Sequence, residues 1–273
     1  MKKGLKITLI ITGAVLGCGA LFLAIGGIPY VRMAERDFPD NDEFSYESYP
    51  CGDRAVPEDY IPLTCNEWTF SAPVQLISKA ENDNDTENEW KQRTFVGDYG
   101  TDKHVTVMIL LPDDMGEFDI TGELDENGSA LKTKISDFVL NSYSKKLGFP
   151  ITDYYTFEDF LYRLNSKDAG ISFRNGMAYY GFSKLKSMLV SFPLWEYHTD
   201  NADGNIKQVV QTTNDDGTNP HYSTYINLFP KNNRNTVCTA ILQATDEDVL
   251  YNMINSVQID PEKAAEFSKK ASE

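Results

Sequence analysis

Leu194-Trp-Glu-Tyr-His-Thr199, Asn205-Ile-Lys-Gln-Val-Val-Gln-Thr-Thr213, His221-Tyr-Ser-Thr-Tyr-Ile-Asn-Leu-Phe229 and Thr236-Val-Cys-Thr-Ala-Ile-Leu-Gln-Ala244 are four short runs with a residue period of two. In the last of them Cys238, Ala240, Leu242 and Ala244 fall on one face, as a half-buried strand requires. The intervening loops, 200–204, 214–220 and 230–234, are rich in Asp, Asn, Gly and Pro, which favour turns. The stretch therefore predicts an antiparallel meander.

Beyond the meander, Thr245-Asp-Glu-Asp248 is a cap for a helix whose Val249, Leu250, Met253, Ile254 and Val257 share a face. The tail, 261–273, is polar and is expected to fray. Before the meander, Trp68–Ser78 and Arg93–Gly97 read as extended, joined by the polar loop Glu81–Glu89. His104–Leu111 reads as a buried strand, with Asp98–Asp102 as its hairpin loop. Between these strand regions the period changes. Ser129 stands as N-cap to a helix over Ala130–Leu147, which stops before Gly148 and Pro150. Thr156 caps a shorter helix with Phe157, Phe160, Leu161 and Leu164, and a third runs through Met177, Tyr180, Leu185 and Met188 up to Pro193.

Strands, helices, strands and a closing helix describe an α+β domain over 67–260, an antiparallel sheet with helices packed on one face. Over Trp68–Asp260 this order resembles the small α/β sandwiches of the PsbP-like group, in which a meander precedes a C-terminal helix on the sheet. The resemblance implies a non-catalytic adaptor or binding module.

The N-terminus places that domain. Ile7–Ile28 is 22 residues without a charge, preceded by Lys2, Lys3 and Lys6. At about 1.5 Å per helical residue such a run crosses a hydrocarbon core of roughly 30 Å. Residues 1–6 then stay cytoplasmic, 7–28 form a single transmembrane anchor, and the rest lies outside, following the positive-inside tendency. A secretory leader has a shorter apolar region. The alternative is a lipoprotein, because Val15-Leu16-Gly17-Cys18 resembles a bacterial lipobox that would make Cys18 the lipidated residue; the apolar run from Gly19 to Ile28 departs from that pattern. Within the span Gly13 and Gly17 have the spacing of a helix-dimer motif. Residues 29–66, with Pro39, Pro50, Pro57 and Pro62, read as a Pro- and acid-rich stalk.

Up to Arg36 the chain carries five Lys/Arg and one acid, a net +4, so the whole-chain −16 leaves −20 for the exported part. That charge disfavours nucleic acid and anionic headgroups as direct ligands. Outside the cytoplasm disulfides form, and Cys51 and Cys65 flank a short Pro-rich loop that a bridge would restrain. Cys238 reads as a buried thiol.

Catalytic signatures are sparse. His104, His198 and His221 all lie at strand ends, and no GxSxG elbow accompanies them. The acids Glu158, Asp159 and Asp246–Asp248 fall in first helical turns, where the dipole favours them. Measured against an EF-hand, the Gly204 loop offers Thr199, Asn201 and Asp203 but ends on Val210, and the Gly128 loop offers Glu123, Asp125 and Asn127 but ends on Lys134. No cofactor or metal signature is present, neither CxxC nor GxGxxG. Tyr154, Tyr155, Tyr162, Tyr179 and Tyr180 cluster in the helical middle and mark the expected interaction surface, since tyrosine is enriched at interfaces. The sequence thus predicts a membrane-anchored, extracytoplasmic binding module without catalytic activity, whose partner is an envelope or extracellular protein. The competing reading is an envelope-polymer hydrolase with a carboxylate or histidine site.

Overall fold

The computed structural model describes residues 19, 21–39, 46–79, 92–114, 119–124, 130–134, 143–145, 148, 150–189, 193–213 and 220–272. The chain divides into two compact units. A sheet unit comprises Glu43–Phe118, Asp153–Tyr155 and Phe192–Glu273, and a helical unit comprises Met1–Asp42, Asp119–Thr152 and Thr156–Ser191. The protein is mixed α+β with one large sheet.

In the sheet unit the strands are β1 (Tyr46–Ser48), β2 (Ile61–Cys65), β3 (Trp68–Ala72), β4 (Ile77–Ser78), β5 (Gln92–Gly100), β6 (Lys103–Leu110) and β7 (Asp113–Asp114). The helical unit contributes β8 (Asp119–Leu124) and β9 (Ala130–Lys134), which pair antiparallel. The meander follows as β10 (Leu194–His198), β11 (Ala202–Lys207), β12 (Val210–Thr212), β13 (His221–Pro230) and β14 (Thr236–Ala244), with a short β15 (Gln258–Ile259) after the next helix. The large sheet runs β1-β10-β11-β13-β14-β6-β5-β4, with β12 also on β13 and β7 on β14. Among the described residues only the β1–β10 pairing in it is parallel. A smaller sheet has the order β15-β3-β2.

The helices are α1 (Ile28–Asp37), α2 (Tyr154–Arg163), α3 (Phe173–Leu189), α4 (Glu247–Asn255) and α5 (Pro261–Ser272). The core of the sheet unit lies between the large sheet and the layer of α4, α5 and β3. Val105, Val107, Ile109, Ile226, Leu228, Ala240 and Leu242 face Trp68, Phe70, Leu250, Met253 and Ile254, all buried. The alternation read in Thr236–Ala244 is therefore the pleat of a central strand. Asp246 caps α4, its Oδ1 accepting from Asp248 N at 3.0 Å and Val249 N at 3.4 Å.

Three expectations change. Ala130–Lys134 is a strand, because Leu131 and Thr133 lie across from Glu123 and Ile120 in a hairpin; Tyr143–Lys145 is helical, as expected, and the remainder of 130–147 lies outside the described residues. The stalk does not stand apart: β1 and β2 are knit into the two sheets, and Pro62 is tolerated in β2 because that strand is an edge. The tail is helical to Ser272. Pro261 occupies the first helical position and Asp260 Oδ1 accepts from Glu262 N at 3.0 Å and Lys263 N at 3.3 Å, while Ala264 and Ser268, four residues apart, are buried.

The helical unit is held by rings. Tyr143, Phe157, Phe160 and Phe182 are all buried, with Phe160 and Phe182 edge-to-face at 5.0 Å and Tyr143 and Phe182 at 5.4 Å. Lys186 Nζ donates to the Leu164 carbonyl at 2.6 Å, just beyond the C-terminus of α2, where a cation complements the dipole. α1 crosses α3 with its backbone nearly touching: a Cβ on Gly176 would lie 2.2 Å from Gly27 O. Among the described residues no helix is long and apolar enough to cross a membrane, and residues 7–18 and 20 of the expected span lie outside them, Gly13, Gly17 and Cys18 included.

Candidate functional site

At the β10–β11 turn the meander gathers charges from two of its turns. His198 ends β10, and Asp203, five residues on, is paired with it across the antiparallel turn. Thr199 organises that turn, its Oγ1 accepting from Ala202 N at 3.0 Å. The Asp203 carboxylate is buried and meets His198 Nδ1 at 3.0 Å, the Arg234 guanidinium and, at 3.9 Å, Lys231 Nζ. Lys231 Nζ also donates to the carbonyls of Thr199 at 2.7 Å and Asp200 at 3.1 Å. On its other side His198 presents Nε2 to Glu196 Oε1 at 3.3 Å. A neutral imidazole donates to one of these carboxylates and an imidazolium to both.

Beside this cluster is a cleft of about 390 Å³ lined by Ser48, Tyr49, Glu196, His198, Asp200 and Gln258 among others. The parallel strand β1 forms one wall, since Ser48 lies opposite Glu196 and Tyr49 N donates to Glu196 O at 3.0 Å. Tyr197 and the end of α4 form the floor. Tyr197 Oη donates to Ile254 O at 2.8 Å, and burial pushes its phenol up to about 12. Burial raises the Tyr49 phenol further, the neighbouring Cys51, Tyr197 and Tyr251 adding to it; its hydroxyl is buried without a hydrogen-bond partner, as is Asn255 Oδ1. Among the described residues no Lys or Arg lines the cleft, and its acidic residues are Glu196 and Asp200, with His198 between them in sequence.

A buried carboxylate orienting an imidazole is an arrangement used for general base catalysis. Here the outward nitrogen faces Glu196, and among the described residues no Ser, Thr, Tyr or Cys side chain hydrogen-bonds to the ring. The arrangement is suited to holding a cationic group against Glu196 and Asp200.

The tyrosine set is divided between the two units. Tyr154 and Tyr155 pack on Phe229 with ring centroids 6.1 and 5.4 Å apart, and Tyr155 is buried beneath the Arg234 guanidinium, 5.4 Å from its ring centroid. Tyr155 thereby supports the cation that holds Asp203. In the helical unit Tyr179 is buried, Tyr162 is half-buried, and Tyr180 donates to Asp37 Oδ2 at 3.4 Å. Of the five tyrosines expected to mark an interaction surface, Tyr155 and Tyr179 are thus buried.

Cys51, Cys65 and Cys238 are all free. The structure does not join Cys51 to Cys65: the Cys51 carbonyl is held by Asn255 Nδ2 at 2.7 Å, while Cys65 closes the β2–β3 hairpin with its thiol turned toward Arg93 Nη1 at 3.9 Å. Burial raises the Cys65 and Cys238 thiols above the ordinary range. Three of the five acids considered for catalysis have structural tasks: Asp159 pairs with Arg163 at 2.8 Å, Asp248 with Arg54 at 2.8 Å, and Asp246 caps α4. Among the described residues no group of three or more His, Cys, Asp or Glu is arranged to hold a metal ion. Asp203 of the Gly204 loop is already neutralised by protein cations, and Asp125 and Asn127 lie outside the described residues.

Sequence reasoning placed His198 at a strand end and missed its cluster. Arg234 is separated from Asp203 by 31 positions and belongs to a turn, so no local pattern links them. A buried acid, Glu67, was missed as well. It occupies the tip of the β2–β3 hairpin, its residue 1% exposed, with both carboxyl oxygens lacking a hydrogen-bond partner. Burial pushes its carboxyl from the ordinary 4.5 up to about 7, opposed by its own backbone N–H and by the Trp68 indole, which stand near it outside hydrogen-bonding geometry. No family model matches the chain, and neither does any curated protein with which it was compared.

Proposed function

We propose that this is a membrane-anchored, extracytoplasmic binding module that holds an envelope or extracellular protein by inserting one of that partner's cationic side chains into the β1–β10 cleft. The observation that carries the reading is the lining of the cleft: two acidic residues, Glu196 and Asp200, an imidazole, and, among the described residues, no Lys or Arg. The −20 charge of the exported part steers a cationic partner toward it. The apolar run 7–28 supplies the anchor in this reading, and the PsbP-like order of elements agrees with an adaptor role. Calorimetric titration of the full-length chain in detergent micelles with a short acetylated lysine-containing peptide, and with its norleucine counterpart, tests it. The lysine peptide binds, the norleucine peptide does not, and Glu196→Gln with Asp200→Asn removes the difference. Equal affinity for the two peptides, or none for either, refutes the cationic ligand.

The Asp203–His198 contact favours a second reading, an envelope-polymer hydrolase with His198 as base. Turnover of cell-wall polymer by the purified chain, lost in His198→Ala, would replace the binding assignment with this one.

A further inference from the structure

We propose that the start of α3, through Ile171 and Met177, dips into the lipid headgroup region beside the departing anchor, so that the helical unit rests on the bilayer surface. This builds on the reading of residues 7–28 as the anchor. The depth follows from backbone contacts. Gly27 N donates to Ile171 O at 3.0 Å, the Phe22 and Phe173 rings are 4.9 Å apart, and Gly176 has the Gly27 carbonyl where its own Cβ would stand. Ile171–Gly176 therefore lies level with residues 22–27, the last turns of the uncharged run.

The surface chemistry fits lipid. Eight of the eleven exposed large apolar side chains among the described residues fall within 21–33 or at Ile171 and Met177, which are 61% and 48% exposed; the other three are Ile61, Ile77 and Val210 in the sheet unit. An apolar concentration of this kind marks an interaction site. Its border is that of a membrane interface. Tyr30 meets Phe173 edge-on at 5.5 Å, and the exposed Arg32 and Arg36 follow immediately, interleaved with Glu35 and Asp37, where charged groups and tyrosines reach headgroups. Lipid is the occupant that continuity demands, because the neighbouring residues 21–25 are already exposed apolar helix belonging to the span.

The test uses the full-length chain reconstituted in phosphatidylcholine/phosphatidylglycerol vesicles containing acyl-brominated lipid. Ile171→Trp and Met177→Trp each add fluorescence that loses about half its intensity to shallow bromines. A photoactivatable diazirine lipid in vesicles of wild-type chain gives an independent reading, with adducts expected on the tryptic peptides 168–174 and 175–184. Flotation of the vesicles separates the two hypotheses. A chain that floats but shows neither quenching nor adducts overturns the surface contact and leaves the anchor standing, and self-cross-linking through Met177 in such a sample would make the patch a contact between copies. A chain that does not float refutes the anchor and this proposal with it.

Discussion

The sheet unit and the helical unit bury apolar groups by different means. In the first, aliphatic side chains from five or more strands interleave with α4 and β3, and the pleat dictates which residues point inward. In the second, four aromatic rings from 143–182 make the centre, while the aliphatic residues of 21–28, Ile171 and Met177 are left outside. The difference shows that a period-two pattern identifies its own core, whereas a ring cluster depends on which helices meet. It also leaves one unit with a charge-bearing cleft and the other with an apolar rim.

Removing the central ring attacks the second arrangement most directly. Phe160→Ala is expected to destabilise the helical unit by about 3–5 kcal/mol, the cost of truncating a fully buried phenylalanine; hydrogen exchange of the 154–189 amides should accelerate correspondingly, and unchanged protection would mean that the rings do not organise it.

The sheet unit has its own weak point in Glu67. Because burial raises its carboxyl from 4.5 to about 7, the folded state binds more protons than the unfolded chain between those values. Stability is thus full below about pH 4.5, declines as pH rises, and is lower by about 3 kcal/mol above pH 7. Glu67→Gln should flatten this dependence and shift the denaturant midpoint upward at pH 8 while leaving it nearly unchanged at pH 4.5. A midpoint with the same pH slope in both proteins would show that another group is responsible.

The α1–α3 crossing offers a smaller perturbation. Gly176→Ala puts a methyl 2.2 Å from Gly27 O, where neither backbone can yield without moving its helix; about 1–3 kcal/mol is expected for such overpacking, read as a lower melting temperature. In the sheet unit Asp246→Ala should cost about 1 kcal/mol by leaving the Asp248 and Val249 amides uncapped. The smallest effect is expected for Arg163→Ala, which removes an exposed i,i+4 ion pair worth about 0.3–0.5 kcal/mol. A loss above 1 kcal/mol there would show that the pair supports α2 through more than charge.

Much of the sheet unit was legible because its signals are local. Thr236–Ala244 has the predicted bounds, and Asp246 caps the following helix as its position implies. Ala130–Lys134 was misread because Leu131 and Ile135 suit a helical face as well as a strand, and the partner that decided the matter is a strand some ten residues upstream. Segment 46–65 was misread for a related reason: its prolines argue for a loose chain, yet edge positions accept proline, and an edge is defined only by the neighbours a strand lacks.

By itself the sequence determined the meander, its closing helix, the acidic character of the chain after Arg36 and the uncharged N-terminal run, all properties of neighbouring residues. Tertiary structure alone decided that β1 pairs with β10 nearly 150 positions away, that Arg234 reaches Asp203, and that Glu67 is sealed without a hydrogen-bond partner among the described residues. Those outcomes depend on chain closure over long loops and on the solvent excluded when distant elements pack, and neither quantity is written into any local run of residues.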